Sequence, residues 1–355
     1  MRTAWRYSII FLINFILLVV GVAAIEFSYR LFKYASTCIN EKCDPQYFSF
    51  DSPIANQNIG LTEFHPILGF VPKPGFDKNI ELSNWGHSKV TITRQGYRSN
   101  DNDKKPTKGP SVLAAGDSFT FGNQVDNKST WPSCLERESG LTVVNAGVPG
   151  YGAAQAVLRV KEILAEQKHF NLVIWSILVD DDIDRDKLMV RSSFVKPAVI
   201  YRNGIVGFSQ ITSKQNPINR QLYEPDEADG FLYLLKLTDR LLLFRELGHL
   251  LGYTERIDLA HPNAATSQQI IDFAFDEFNK LPASRKLVVL QYSKNNAHKP
   301  ISSERSQLID AARKRRLNLV DTRAVITSVE PLKVWNGHHT ELGNKLVCEE
   351  ILKEL

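Results

Sequence analysis

The sequence is poor in cysteine and has no cluster of basic residues. Its 355 residues include four cysteines, none in a Cys-x-x-Cys pair, so the ligand spacing of a structural zinc site is missing. The 43 Lys and Arg residues are scattered and nearly balanced by 39 Asp and Glu residues, whereas nucleic-acid binding requires concentrated positive charge. Internal repeats are also lacking. We therefore expect a globular protein with no nucleic-acid partner, no metal centre and no cofactor.

One long apolar run lies near the amino end, from Tyr7 to Ile25, and Asn14 is its only strongly polar residue. Its length matches the roughly 20 residues that span a bilayer core, so we expect a single-pass membrane anchor. A cleavable signal peptide is the alternative, because Gly21 to Ala23 resembles a cleavage site, although the apolar core of such a peptide is usually about 7–15 residues long. Basic residues flank the run on both sides and give only a weak bias towards an inside amino end.

The cysteines give a second indication of the compartment. Cys38 and Cys43 lie close together just beyond the apolar run, and they can close a small disulfide loop on an oxidising side of a membrane. Cys134 and Cys348 stand alone and are expected to be small buried residues. We therefore expect a membrane protein whose main domain lies in a bacterial periplasm or on another extracytoplasmic face.

The pattern of residues divides the chain into three parts. Residues 1–34 form the predicted anchor, and residues 35–107 form an extension packed on the main domain, in which Lys89 to Thr93 alternates like a strand. The main domain covers residues 108–355. It includes an insertion at about residues 185–256 that departs from the regular pattern and contains a Leu-rich helical segment, Phe231–Leu251.

Apolar, β-branched runs recur in the main domain, separated by segments with helical spacing such as Ala153–Leu164 and Gln268–Leu281. Continuously apolar runs predict strands of a parallel sheet that is covered on both faces. The predicted strands are Val112–Ala115, Leu141–Ala146, Leu172–Val179, Leu287–Gln291 and Leu317–Val320. The expected fold class is α/β, with a three-layer, doubly wound parallel sheet of the flavodoxin-like kind.

The sequence Gly116-Asp117-Ser118 directly follows the first predicted strand. A turn of small residues after a parallel strand raises a side chain to the carboxyl edge of the sheet, where open α/β folds bind their ligands. Ser118 then lies at a helix start with free backbone amides beside its hydroxyl, which is the arrangement of a serine nucleophile. Taken alone, the segment equally allows a helix cap formed by Asp117 or Ser118.

Three other polar segments follow predicted strands or precede the last helix. The glycine-rich segment Asn145–Gly152 brings the backbone close to a bound group, or only makes a tight turn. The carboxylates of Asp180–Asp184 bind a hard cation, or face solvent in a loop. The segment Asn336–Gly343 places histidines before a predicted terminal helix, Asn344–Leu355. A histidine there can reach Ser118, although a lone histidine is more often structural.

The order of these segments resembles the SGNH (GDSL-like) hydrolase family across the main domain. The resemblance implies that Ser118 is the nucleophile and that Gly150 forms the oxyanion hole with the Ser118 amide. It also implies that His338 is the catalytic base, with His339 the weaker candidate. The anchor and the continuation at Gly122 resemble membrane-anchored members associated with bacterial exopolysaccharide or O-antigen production.

Two positions depart from the family pattern. Asp181 stands where the family has an oxyanion-hole Asn, and an ionised carboxylate cannot donate a hydrogen bond. The loss of one such donor typically costs about 2.7–4 kcal/mol, and only a protonated Asp181 replaces it. Asn336 stands where the family has its triad Asp; its amide oxygen can orient His338 but cannot stabilise the imidazolium by charge. A carboxylate reaching His338 from the side of Asp181 is a further arrangement.

The leading hypothesis is a membrane-anchored serine acyl-ester hydrolase or O-acyltransferase that acts on an acylated glycan, with acetyl as the expected acyl group. A lipid or small ester is the alternative substrate. A rival hypothesis is a catalytically impaired protein that binds glycan or acts as a scaffold for polysaccharide-assembly proteins. It is supported by the two departures, Asp181 and Asn336.

Overall fold

The structure, a computed structural model, describes most of the chain from Gly60 onwards. The described residues are 14, 21–22, 24–29, 31–32, 60–82, 86–101, 111–166, 169–191, 194–211 and 258–355. Within them, no helix combines the length and the apolar character that crossing a membrane requires. The predicted anchor from Tyr7 to Ile25 lies largely outside these residues. Cys38, Cys43 and the predicted helix Phe231–Leu251 lie wholly outside them.

The chain divides into two compact units, one formed by residues 1–59 and 223–256 and the other by residues 60–222 and 257–355. All strands and helices named below belong to the second unit. The strands are β1 (Thr62–His65), β2 (Gly69–Pro72), β3 (Asp77–Leu82), β4 (Gly86–Thr91), β5 (Ser111–Ala115), β6 (Thr142–Asn145), β7 (Leu172–Leu178), β8 (Leu188–Arg191), β9 (Phe194–Val195), β10 (Val199–Arg202), β11 (Ile205–Phe208), β12 (Leu259–Ala260), β13 (Arg285–Gln291), β14 (Asn318–Asp321), β15 (Trp335–Asn336) and β16 (His338–His339).

Helices follow most of the long strands. They are α1 (Ser118–Phe121), α2 (Trp131–Ser139), α3 (Ala153–Glu166), α4 (Asp182–Arg185), α5 (Ser267–Asn279), α6 (Lys294–Ala297), α7 (Ser303–Lys314), α8 (Arg323–Thr327), α9 (Pro331–Val334) and α10 (Glu341–Leu352). The predicted terminal helix begins earlier than expected because Thr340 caps it, its Oγ1 accepting a hydrogen bond from Gly343 N at 3.2 Å.

The central sheet contains five parallel strands in the order β14-β13-β7-β5-β6. Numbered along the chain, this is the 2-1-3-4-5 order of flavodoxin-like folds. The five strands are those that the apolar runs predict, and their ends agree to within two residues. The prediction of an α/β fold with a parallel sheet is therefore confirmed.

Helices cover both faces of the sheet, and every residue of the central strand β7 is buried as a result. On one side α5 packs against α3 and α7, and on the other α10 packs against α2 and α8. Trp175 of β7 lies in the first of these layers. Its ring centroid is 4.9 Å from those of Phe275 and Phe278 in α5, and its Nε1 donates a hydrogen bond to Ala153 O at 3.1 Å.

Short antiparallel strands form small sheets separate from the central one. β1 pairs with β2 and β3 with β4 before the main domain, while β8, β9 and β12 form a small sheet and β10 pairs with β11 in the described part of the insertion. The segment after β4 is joined to the main sheet because Arg98 N donates to Asn145 O at 3.0 Å. The Arg98 guanidinium is buried and donates to Asn127 Oδ1 at 2.7 Å and Val125 O at 2.8 Å. Burial lowers the pKa of Arg98 to about 9.

Cys134 and Cys348 correct one expectation. Both are buried, as the sequence suggests, but they are joined in a disulfide. The bond connects α2 to α10 across 214 positions of the chain. Sequence could not pair them, because only the packing of α10 against α2 brings the two cysteines together.

Candidate active site

The carboxyl ends of all five parallel strands lie at one edge of the sheet. From β5 the next strand along the chain, β6, is added on one side and the following strand, β7, on the other, and ligands of such folds bind outside this switch point. The segments singled out in the sequence follow β5, β6 and β7. We call residues 116–118 the Ser118 turn and residues 145–152 the glycine turn.

The Ser118 turn contains both a helix cap and a hydroxyl that faces a histidine, on different residues, and Ser118 itself is buried. Asp117 caps α1, its Oδ1 accepting a hydrogen bond from Phe119 N at 2.9 Å. Ser118 is the first residue of α1, and its Oγ lies 2.9 Å from Nε2 of His338. Among the described residues, no hydrogen bond uses the amide of Ser118, as expected for the first turn of a helix.

His338 is held by its backbone and by ring packing. It lies in the short hairpin of β15 and β16, which precedes α10. Its backbone N donates to Gln124 Oε1 at 2.6 Å, and its ring centroid lies 5.0 Å from that of Phe119. Gln124 comes shortly after α1, so the helix that carries Ser118 is connected to the residue that positions the histidine. No pattern in the sequence identified Gln124.

His339 is structural. It is buried, its Nε2 lies 3.2 Å from Tyr292 O, and its ring packs edge-on against Phe119 at 4.8 Å. Burial lowers the pKa of His339 to about 3, so the ring is neutral and donates to the Tyr292 carbonyl. Trp335 Nε1 donates to the same carbonyl at 3.0 Å. Together these bonds fasten the hairpin to the end of β13.

Asn336 does not take the expected orienting role. It pairs with His338 across the hairpin, but it is exposed. In the part of the chain that the structure describes, no hydrogen bond joins its side-chain amide to the His338 ring. The expectation that Asn336 replaces a triad Asp is therefore corrected, because the hairpin geometry leaves this side chain in solvent.

The glycine turn packs directly against the Ser118 turn. Val148 N donates to Gly116 O at 3.0 Å, and a Cβ atom on Gly147 would lie 2.3 Å from Phe121 N, which excludes every other residue there. Gly150 has φ +85°, a conformation that favours glycine. No hydrogen bond of the described residues uses its amide. The amides of Gly150 and Ser118 are therefore available to a ligand.

Asp181 does not serve as the expected donor. Its Oδ2 accepts a hydrogen bond from Arg185 Nη2 at 2.7 Å, so this carboxylate is an acceptor in an ion pair. Arg185 Nη1 also contacts Asp182 Oδ1 at 2.8 Å and Asp117 Oδ2 at 2.9 Å. Burial, followed by the charge of Asp117, raises the pKa of Asp182 well above its ordinary value. Sequence reasoning missed Arg185, because an arginine in an acidic loop gives no signal of burial.

These contacts also correct the cation-binding interpretation of Asp180–Asp184. Asp181 and Asp182 face Arg185, while Asp184 pairs with Lys187 at 2.6 Å. Across the described residues, no group of His, Cys, Asp or Glu side chains is arranged to hold a metal ion. Arg185 and Lys187 therefore account for the carboxylates of Asp181, Asp182 and Asp184.

No protein-family model matches the chain, and no curated protein matches it in sequence. Similar solved structures include a lipase/acylhydrolase from Enterococcus faecalis, 12% identical, with a TM-score of 0.38 over 69% of this chain and 95% of that protein. An acetylxylan esterase from Geobacillus stearothermophilus is 14% identical, with a TM-score of 0.37 over 71% of this chain and 96% of that protein. A member of the lipolytic protein G-D-S-L family from Veillonella parvula is 11% identical, with a TM-score of 0.34 over 69% of this chain and 97% of that protein.

The site consists of a serine within hydrogen-bond distance of a histidine, with available backbone amides on the same turn and on the neighbouring glycine turn. Such an arrangement can activate a hydroxyl and stabilise an oxyanion. The order of the motifs, the parallel sheet that positions them and the pair of Ser118 and His338 make the chain similar to the SGNH (GDSL-like) hydrolases.

Proposed function

We propose that the protein is a serine ester hydrolase in which Ser118 is the nucleophile and His338 is the general base. The observation that carries the proposal is the distance of 2.9 Å between Ser118 Oγ and His338 Nε2. It lies within the range that proton transfer between a nucleophile and its base requires. The pair lies at the sheet edge where folds of this class bind ligands.

The reaction follows from these positions. His338 Nε2 takes the Ser118 proton as Oγ attacks the ester carbonyl carbon, and the amides of Ser118 and Gly150 bind the resulting oxyanion. The imidazolium then protonates the departing alcohol as the carbon–oxygen bond breaks, leaving an acyl group on Ser118. Water attacks the acyl group with His338 again as the base, and the carboxylic acid leaves as Ser118 regains its proton.

The histidine lacks the charged support of a complete triad at position 336, because Asn336 is exposed and neutral. In a serine protease, replacing the triad Asp by Asn lowers turnover by about 10⁴. Position 336 therefore supplies none of this charge stabilisation to His338. Packing of His338 against Phe119 and the bond from its backbone to Gln124 orient the ring instead.

The finer assignment is a membrane-anchored enzyme that removes or transfers an acyl group, expected to be acetyl, on a glycan. The sequence resemblance to polysaccharide-associated members supports it, and a sugar hydroxyl that replaces water gives an O-acyltransferase. The apolar run from Tyr7 to Ile25 supports an anchor. The disulfide between Cys134 and Cys348 supports an extracytoplasmic location, since such bonds persist in oxidising compartments.

The test uses the purified full-length chain with p-nitrophenyl acetate and with acetylated xylan. We expect hydrolysis by the wild type, loss of at least 10³-fold in Ser118→Ala and His338→Gln, and unchanged rates in Ser328→Ala. Ser328 is an exposed serine whose Oγ donates to Val325 O at the end of its own helix. Equal rates for the wild type and Ser118→Ala would contradict the assignment of the nucleophile.

A non-catalytic glycan-binding protein is the second candidate. Two observations favour it: Asp181 is an acceptor in an ion pair, and Asn336 is exposed. An inert wild type that binds the acetylated glycan in calorimetry would support this function over hydrolysis. Lipid and small-ester hydrolysis are distinguished in the same assay by the rates with p-nitrophenyl esters of different chain length.

A further inference from the structure

Arg185 is a buried cation in contact with three parts of the candidate site. Its side chain is only 8% exposed, in α4 just after β7. It contacts Asp117 in the Ser118 turn at 2.9 Å, and Asp181 and Asp182 in the turn after β7 at 2.7 and 2.8 Å. It also donates to Tyr151 O in the glycine turn at 3.2 Å. One guanidinium thus connects the turns that follow β5, β6 and β7.

Two of these contacts, those with Asp117 and Tyr151, restrain segments that carry the proposed nucleophile and the proposed oxyanion amide. Asp117 Oδ2 binds Arg185 while Asp117 Oδ1 caps the helix that begins with Ser118, so the guanidinium sets the orientation of the cap. Tyr151 follows Gly150 directly, so the bond to the Tyr151 carbonyl restrains the glycine turn two peptide units from the proposed oxyanion amide. The planar fork of arginine makes these contacts in fixed directions, which a lysine ammonium cannot reproduce.

Arg185 also balances the charge of the site. Asp117 and Asp182 are buried, and Asp181 is partly exposed. Burial by itself lowers the pKa of Arg185, but the charges of Asp182, Asp117 and Asp181 raise it above the ordinary value. The guanidinium is therefore permanently charged and offsets the negative charge at Asp181, which otherwise repels a developing oxyanion.

We propose that Arg185 is a positioning residue for acyl transfer, which holds the Ser118 turn and the glycine turn in their reactive arrangement and neutralises Asp181. It does not touch the reacting atoms. The inference rests on the proposed ester hydrolysis. Because a displacement of about 1 Å in such a site can cost 10²-fold in rate, the loss of Arg185 is expected to appear in kcat.

The experiment compares Arg185→Lys and Arg185→Met with a matched control, Arg315→Lys. Arg315 has a side chain 7% exposed and pairs with Asp272 and Asp276. It precedes β14, at the edge of the sheet opposite the site. The measurements are kcat and KM for p-nitrophenyl acetate, the melting temperature, and the separation of Ser118 Oγ and His338 Nε2 in crystal structures.

We expect kcat to fall at least tenfold in Arg185→Lys and about 10²-fold in Arg185→Met, with KM changed less than threefold. Arg315→Lys lowers the melting temperature but leaves kcat within twofold of the wild type. Arg185→Met leaves buried carboxylates without a cation and can prevent folding, in which case Arg185→Lys decides. Loss of kcat in proportion to the melting temperature in both lysine variants would reduce Arg185 to a structural residue and overturn the proposal.

The crystal structures separate this inference from the proposed function. If the wild type and Ser118→Ala have equal rates, ester hydrolysis by Ser118 is wrong. The positioning role is then decided by geometry alone: a Ser118–His338 separation above about 3.5 Å in Arg185→Lys supports it, and an unchanged separation overturns it.

Discussion

Cys134 and Cys348 are joined by a disulfide that fastens α2 to α10. The connection bears on the candidate site because α10 begins directly after the hairpin that carries His338. The same interface contains Asn344, whose Oδ1 accepts a hydrogen bond from Trp131 N at 3.0 Å and whose Nδ2 donates to His339 O at 3.2 Å. The position of the proposed base is thus determined by the packing of two helices that are distant in sequence.

Removal of the disulfide is expected to destabilise the protein. The double variant Cys134→Ser, Cys348→Ser loses a cross-link between distant positions, and native disulfides of small domains contribute roughly 2–5 kcal/mol. Denaturant unfolding of the wild type and the double variant, each with and without reductant, measures the difference. Reductant should shift the unfolding midpoint of the wild type more than that of the double variant, which retains only Cys38 and Cys43. Equal unfolding midpoints for all four samples would show that the bond contributes nothing.

Replacement of Asn336 by Ala is expected to change kcat less than about threefold, because its side chain is exposed and forms no hydrogen bond to the His338 ring. His338→Gln serves as the reference variant that abolishes activity. Steady-state kinetics with p-nitrophenyl acetate compares the two. A decrease in kcat of more than about 10²-fold in Asn336→Ala, the size seen when a positioning group is displaced, would show that Asn336 does orient the catalytic histidine.

Replacement of Asp181 by Asn is expected to raise kcat several-fold. The change removes a negative charge from the position of the missing oxyanion donor and supplies an amide N–H, while the amide oxygen can still accept from Arg185. The matched control is Asp184→Asn, which removes a more exposed carboxylate paired with Lys187. A kcat that falls in Asp181→Asn but not in the control would mean that the charge of Asp181 itself is needed.

Two glycines of the same turn are expected to respond differently to substitution by Ala. A Cβ on Gly147 would lie 2.3 Å from Phe121 N, whereas the nearest atoms to a Cβ on Gly150 are 3.9 Å away. Gly147→Ala should therefore lower the melting temperature strongly. Gly150→Ala should fold, with a cost of about 1–2 kcal/mol from its positive φ, and lose about 10²-fold in kcat as its amide is displaced. Full activity in Gly150→Ala would exclude it from the oxyanion hole.

The raised pKa of the partly buried Glu304 carboxyl group predicts that the stability of the protein depends on pH. Burial raises this pKa from 4.5 to about 7, and Glu304 Oε1 accepts a hydrogen bond from Asp180 N at 2.7 Å. The folded protein therefore binds this proton more tightly than the unfolded chain, so the stabilisation is complete below pH 4.5 and is lost as pH rises through about 7. Gln keeps the acceptor without the charge.

We expect Glu304→Gln to be more stable than the wild type at pH 8 by on the order of 2–3 kcal/mol, and the difference to vanish near pH 4.5. Denaturant unfolding at several pH values measures it. Asp310→Asn, at an exposed position of the same helix, provides the reference. A difference that is constant with pH would show that the proton of Glu304 is not the cause.

The sequence alone determined the sheet and the location of the proposed chemistry. Strands buried on both faces must be continuously apolar, so each of the five core strands can be recognised in the sequence as an apolar run. The clearest example is β7 (Leu172–Leu178). Turns of small and polar residues after such strands must lie at the carboxyl edge. For this reason the sequence alone predicts that Ser118 and the glycine turn lie near one another.

Tertiary structure decided which side chains meet at that edge. Ser118 and His338 are 220 positions apart, and their separation of 2.9 Å depends on the packing of α10 against α2. The orientation of single side chains was equally beyond the sequence, since Asn336 faces solvent and Asp181 faces Arg185. Patterns of polarity specify the face of an element, whereas hydrogen bonds between distant segments depend on directions that only the folded chain fixes.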